Sequence, residues 1–127
     1  MEKESSTEPE NGGYAGRHIL SEFWGVKNID SAEFVESVLR KAVEASGATL
    51  LNLCVHKFNP QGISGLVLIS ESHISIHTWP EYGYMAVDVF TCGQTVKSFS
   101  VLSVLKEAFT PERVEVVEIK RGLRTKI

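Results

Sequence analysis

The sequence predicts an α+β fold: a two-layer α/β sandwich, mainly an antiparallel sheet with two helices on one face. Three observations carry that reading. The elements run β-α-β-β-β-β-α-β, which segregates the helices from a series of strands. Two segments repeat apolar residues at helical spacing, whereas the others alternate or run apolar between turn residues. At 127 residues, the chain suits one domain with one core.

The elements follow in order. His18 to Trp24 reads as a strand ending at Gly25. Asp30 is placed as a helix N-cap with Glu33 as its capping-box partner. Phe34, Val35, Val38, Leu39, Ala42 and Val43 then recur at helical spacing until Gly47 stops the helix. Thr49 to Phe58 is a strand broken by Asn59-Pro60. Ile63 to Ile69 is nearly all apolar, and His73 to Thr78 alternates. Pro80 and Gly83 mark a turn before a strand from Met85 to Thr91. A second helix over 96–109 puts Phe99, Leu102, Leu105 and Phe109 on one stripe, and Arg113 to Ile119 is the last strand. No internal repeat is visible.

Composition bounds the function. Hydrophobic residues make up 43% and charged residues 23%, as in ordinary globular domains. A net charge of −3 without a basic stripe argues against nucleic acid as the partner. No apolar run approaches the ~20 residues of a membrane span. The start, MEKESSTEPENGG, has no apolar signal segment and nothing to bury, so residues 1–13 are expected to be disordered. The domain is expected over 14–122, with a fraying basic tail in KRGLRTKI and its end at 123–127. Two cysteines make no disulfide framework, and a reduced cytoplasmic setting fits.

Chemistry concentrates in Ser70 to Gly93, "SESHISIHTWPEYGYMAVDVFTCG". His73 and His77 have a metal-pair spacing only on a helix. Their β-branched neighbours favour a strand, where His73, Ser75 and His77 share one face. A zinc site with Cys92 then lacks a further ligand, so no metal is expected. Cys92 precedes Gly93 at an expected sheet rim, while Cys54, midway along an apolar strand, reads as packing. His18 and His56 have no local partner motif and read as structural or surface residues. Ser64 in "GISGL" reads on its own features as a turn residue. Ser72 has His73 beside it and His77 five residues on, which hints at a nucleophile and base. Strict alternation puts Ser72 and His77 on opposite faces, so they meet only if the backbone turns or bulges near Glu71-Ser72. There is no GxSxG elbow. The residues by themselves leave an unassigned Ser/His/Cys cluster.

The stretch "GISGLVLISESHISIHTWPEYGYMAVDVFTCG", with "GRHILSEFW" and "ASGATLL", resembles the signature of the small prokaryotic S-adenosylmethionine decarboxylase proenzymes. The likeness covers roughly residues 16–122. It implies a chain that builds its own cofactor by cleavage between Glu71 and Ser72, giving a β chain of 1–71 and an α chain of 72–127. The Ser72 hydroxyl would attack the Glu71 carbonyl in an N→O acyl shift. β-Elimination and hydrolysis would then leave a pyruvoyl group at position 72, which forms the Schiff base with substrate. By the same resemblance Ser64 and His77 assist processing, with His77 a proton acceptor or donor. Cys92 matches the family's acid that reprotonates the decarboxylated carbon. Phe58 matches a residue that stacks on adenine, and Glu81 an acidic residue near ribose or adenine. A homodimer with active sites between subunits is implied, as is a role in supplying the aminopropyl donor for spermidine.

Two departures from the family pattern stand out: Gly25-Val26-Lys27-Asn28 after the first strand, where relatives read Gly-Cys-Asp or similar, and Met85 where alanine is usual. They leave pyruvoyl-dependent arginine or ornithine decarboxylases open as alternatives. A further alternative is an unprocessed, non-catalytic regulatory partner.

Overall fold

The computed structural model describes residues 13–92 and 97–123. The expected N-terminal tail therefore lies outside the described residues except for Gly13, and the basic C-terminal tail except for residues 120–123. Val96, at the expected start of the second helix, also lies outside them. The elements are β1 (Gly16–Trp24), α1 (Ala32–Ser46), β2 (Leu50–Lys57), β3 (Ile63–Ile69), β4 (Ser72–Trp79), β5 (Tyr84–Thr91), α2 (Ser98–Phe109) and β6 (Arg113–Arg121). A 3-10 turn, Pro80–Tyr82, joins β4 to β5. The order is the predicted one. Six strands form one sheet, β2-β3-β4-β5-β1-β6, and every neighbouring pair is antiparallel.

Side chains alternate along each strand, so one face of the sheet collects the core. Ile19, Phe23, Val67, Ile74, Ile76, Val87 and Val89 are buried there with Leu39 and Ala42 of α1 and Leu102, Leu105 and Phe109 of α2. Gly65 lets α1 come close, because a Cβ at that position would stand 2.9 Å from Leu39 Cδ1. Leu39 is itself fully buried and has little room to yield. Gly65→Val is therefore expected to lower stability by about 1–3 kcal/mol in urea unfolding, the usual cost of overpacking. No helix among the described residues is long and apolar enough to cross a membrane.

The opposite sheet face is open among the described residues. Leu66, Leu68 and Trp79 are exposed on it. The continuous apolar run of β3 is thus covered on one side only, unlike a strand buried on both faces.

Four local expectations are corrected. Ser31, not Asp30, caps α1, its Oγ accepting from Phe34 N at 3.2 Å. Glu33 then falls one position short of a capping-box partner. Asp30 instead accepts from Gly62 N at 2.9 Å and from Lys57 Nζ at 3.1 Å. The Gly62 N–H, and then Lys57, hold its carboxyl below the ordinary 3.8. Phe99 is 52% exposed, and Ser98 takes the core position beside it, with its hydroxyl 3.3 Å from the buried Thr91 Oγ1. Cys54 is exposed rather than packed, because α1 covers the face of β2 that carries Leu53 and Val55. Lys120 and Arg121 do not fray: they close β6, paired with Arg17 and Gly16.

Candidate active site

The β3–β4 hairpin turns through Ser70 and Glu71, and Ile69 pairs with Ser72. Glu71 has φ 62°, left-handed backbone that costs a non-glycine residue about 1–2 kcal/mol. The expected break in strand geometry is therefore a turn ending at Glu71, with no bulge at Ser72. Ser72 is already the first residue of β4 and lies on the core face, 4% exposed. Its Oγ accepts from Cys92 N at 3.3 Å. Cys92 follows the last residue of β5 at the sheet rim and is half-buried. Ser72, Glu71 and Cys92 thus gather at one end of the sheet.

Ser64 and His77 gather at the other. Ser64 is not a turn residue. It stands in β3 opposite His77 of β4, with Oγ 2.8 Å from Nδ1, on the open face. His56 is the cross-strand neighbour of Ser64 and packs edge-on against Phe58, ring centroids 4.6 Å apart. Phe58 is 48% exposed, and Glu81 sits exposed in the 3-10 turn just beyond β4.

Ser72 and His77 are five positions apart, about 16 Å along a strand. They also point to opposite faces, so within one chain they do not meet. The same rise puts His73 and His77 about 13 Å apart, too far to share a metal ion.

Two further groupings arise that no local motif announces, although alternation does put their members on one face. Trp79, Tyr84 and Trp24 form a row of tilted rings, with centroids 5.3 and 4.4 Å apart, and the Arg113 guanidinium lies 5.5 Å from the Trp24 ring centre. The Tyr84 hydroxyl donates to Glu22, and burial, then this carboxylate, pushes the phenol up to about 12. Nearer the Ser72 end, Arg121 Nη1 lies 3.3 Å from His18 Nδ1. Arginine only donates, so the ring proton belongs on Nε2, which faces Asp88 Oδ1 at 3.5 Å. The other carboxylate oxygen, Asp88 Oδ2, accepts from Ser75 Oγ at 3.0 Å. The missing signal is the strand order, which sets β1 between β5 and β6.

A family model for S-adenosylmethionine decarboxylase matches residues 17–122. The chain belongs to the S-adenosylmethionine decarboxylase family. It is 51% identical over 109 residues to the S-adenosylmethionine decarboxylase proenzyme of Thermomicrobium roseum, covering 85% of this chain and 94% of the relative. It is 48% identical over 110 residues to the proenzyme of Methanococcus maripaludis, covering 85% and 90%. The crystal structure of the adenosylmethionine decarboxylase from Aquifex aeolicus superposes with a TM-score of 0.81 at 34% identity, over 90% of this chain and 96% of that one.

The two departures from the family pattern have definite places in the fold. Met85 is fully buried on the core face of β5, turned away from the face that carries His77. The loop after β1 is tied down by its backbone: Gly25 N donates to Gly83 O at 2.7 Å and Lys27 N to Phe109 O at 2.9 Å. Val26 and Ile29 are buried beneath it. That loop leads directly into Asp30.

Proposed function

We propose that the chain is a self-processing, pyruvoyl-dependent decarboxylase that converts S-adenosylmethionine to its decarboxylated form, the aminopropyl donor for spermidine. The observation that carries this reading is the Ser72 hydroxyl beside Cys92, directly after the left-handed Glu71. Family membership and the names of relatives near half identity support S-adenosylmethionine over arginine or ornithine.

In processing, Ser72 Oγ attacks the carbonyl carbon of Glu71 as the peptide nitrogen leaves, forming an ester. Elimination passes the Cα proton of residue 72 to His77 as base, breaks the Cβ–O bond and frees the Glu71 carboxylate, ending a β chain of 1–71. The dehydroalanine that begins the α chain, 72–127, loses ammonia on hydrolysis and becomes the pyruvoyl group. The turn at Glu71 and the Cys92 N–H on Ser72 Oγ fit such a group at the start of β4. Once formed, the group supplies the electron sink for loss of carbon dioxide. Cys92 then delivers the proton to carbon, and Phe58 and Glu81 hold the nucleoside. This chemistry needs Cys92 as a thiol, which suits a cytoplasmic setting.

The active unit is a homodimer. Ser72 and Cys92 lie at one end of the sheet, and Ser64, His77, Phe58 and Glu81 lie at the other. A two-fold axis against the open face brings the partner's second group to the sheet rim at which this chain's first group gathers. It makes two equal composite sites, since a two-fold interface is self-complementary. The exposed Leu66, Leu68 and Trp79 suit that packing.

Two measurements test the reading. Intact mass should show two fragments, with the α chain beginning at position 72 behind a blocked terminus. Purified protein should release carbon dioxide from carboxyl-labelled S-adenosylmethionine. A persistent full-length chain would make it a non-catalytic partner instead, and release from arginine or ornithine alone would overturn the substrate.

A further inference from the structure

We propose that Asp30 is a positioning residue for the substrate, acting through Phe58. The inference rests on the assignment of Phe58 to nucleoside binding. Phe58 begins the β2–β3 connection, where Phe58 to Gln61 are all exposed, so core packing does little to fix its ring. What holds the connection is a short chain of hydrogen bonds. Phe58 N donates to Gly62 O at 2.8 Å, and Gly62 N donates to Asp30 Oδ1 at 2.9 Å. Lys57, immediately before Phe58, brings its ammonium to the same oxygen at 3.1 Å. One carboxylate oxygen therefore grips both ends of the segment that presents Phe58.

The grip has a firm base. Asp30 stands between Ile29, which is buried, and Ser31, which caps α1. The loop before it is bonded to Gly83 and Phe109. Asp30 thus ties the connection to the helix layer, while Ile63 N, donating to Thr78 Oγ1 at 2.9 Å, ties it to β4. Gly62 has φ +105°, a conformation that leaves its N–H turned toward Asp30 and that other residues rarely adopt. A substitution in the loop 25–30 reaches the substrate by this route without touching it.

The test uses the fully processed dimer, checked by intact mass and thermal melting, and reads KM separately from kcat. Asp30→Ala removes the acceptor, so KM for S-adenosylmethionine should rise about tenfold while kcat stays within about twofold. Asp30→Asn keeps an oxygen for Gly62 N and loses only the charge, so its KM should stay within about threefold of the parent. Phe58→Ala alone must raise KM, and adding Asp30→Ala to it should raise KM no further. An unchanged KM in Asp30→Ala beside a raised KM in Phe58→Ala would overturn the positioning role. Additive effects in the double variant would do the same, because Asp30 would then act by another route. An unchanged KM in Phe58→Ala would instead remove the reading of Phe58 on which the inference rests. Equal loss in Asp30→Ala and Asp30→Asn would transfer the role from the Gly62 bond to the Lys57 charge, and so overturn positioning through Gly62.

Discussion

Proenzymes carrying Ser72→Ala and His77→Ala, each uncut and inactive alone, should regain self-cleavage and decarboxylation when the two are co-expressed. In a mixed dimer, the His77→Ala chain supplies Ser72 and Cys92, and the Ser72→Ala chain supplies Ser64 and His77. One of the two sites is then complete and the other lacks both groups. Random pairing makes half the dimers mixed, so the preparation should reach about a quarter of parental turnover. The basis is distance: Ser72 and His77 lie about 16 Å apart along β4 and face opposite ways. If both acted within one chain, no mixture would contain an intact site, and activity would stay at zero. The measurement is intact mass with carbon dioxide release on the co-purified mixture, against each variant alone.

Cys92→Ala should separate the two halves of the chemistry. Its backbone N–H still reaches Ser72 Oγ, because that bond at 3.3 Å uses no side-chain atom of Cys92. Self-cleavage should therefore go to completion. Turnover should fall by about 10²–10⁴, the usual contribution of a positioned general acid. With the thiol gone, the carbon that loses carbon dioxide has no placed proton donor, and stray proton delivery should divert some turnovers. Unimpaired turnover in the cleaved variant would refute the proton-donor role. Failure to cleave would mean that the thiol itself serves processing.

Much of the fold was legible from local pattern. The six strands, two helices and their order follow from alternation, helical spacing and the stops at Gly47, Pro60 and Gly83. Local pattern failed where two neighbours competed for one role. Asp30 and Ser31 are both good caps, and the choice fell to Ser31 because a distant backbone N–H at Gly62 occupies Asp30. Phe99 lost its core position to Ser98, which the buried Thr91 hydroxyl accepts as a partner. Cys54 looked buried because its strand is apolar, yet only one side of that strand meets a helix.

The site divides in the same way. The sequence by itself determined where the Ser/His/Cys cluster lies in "SESHISIHTWPEYGYMAVDVFTCG", with roles that come only from the family resemblance, and period-two alternation already set Ser72 and His77 on opposite faces. Only the tertiary structure decided their company. Strand pairing brought Ser64 onto His77 and Cys92 onto Ser72, at opposite ends of the sheet, from positions 13 and 20 residues apart. Register between strands depends on turn geometry and on which face is buried against helices, and no single strand contains that information.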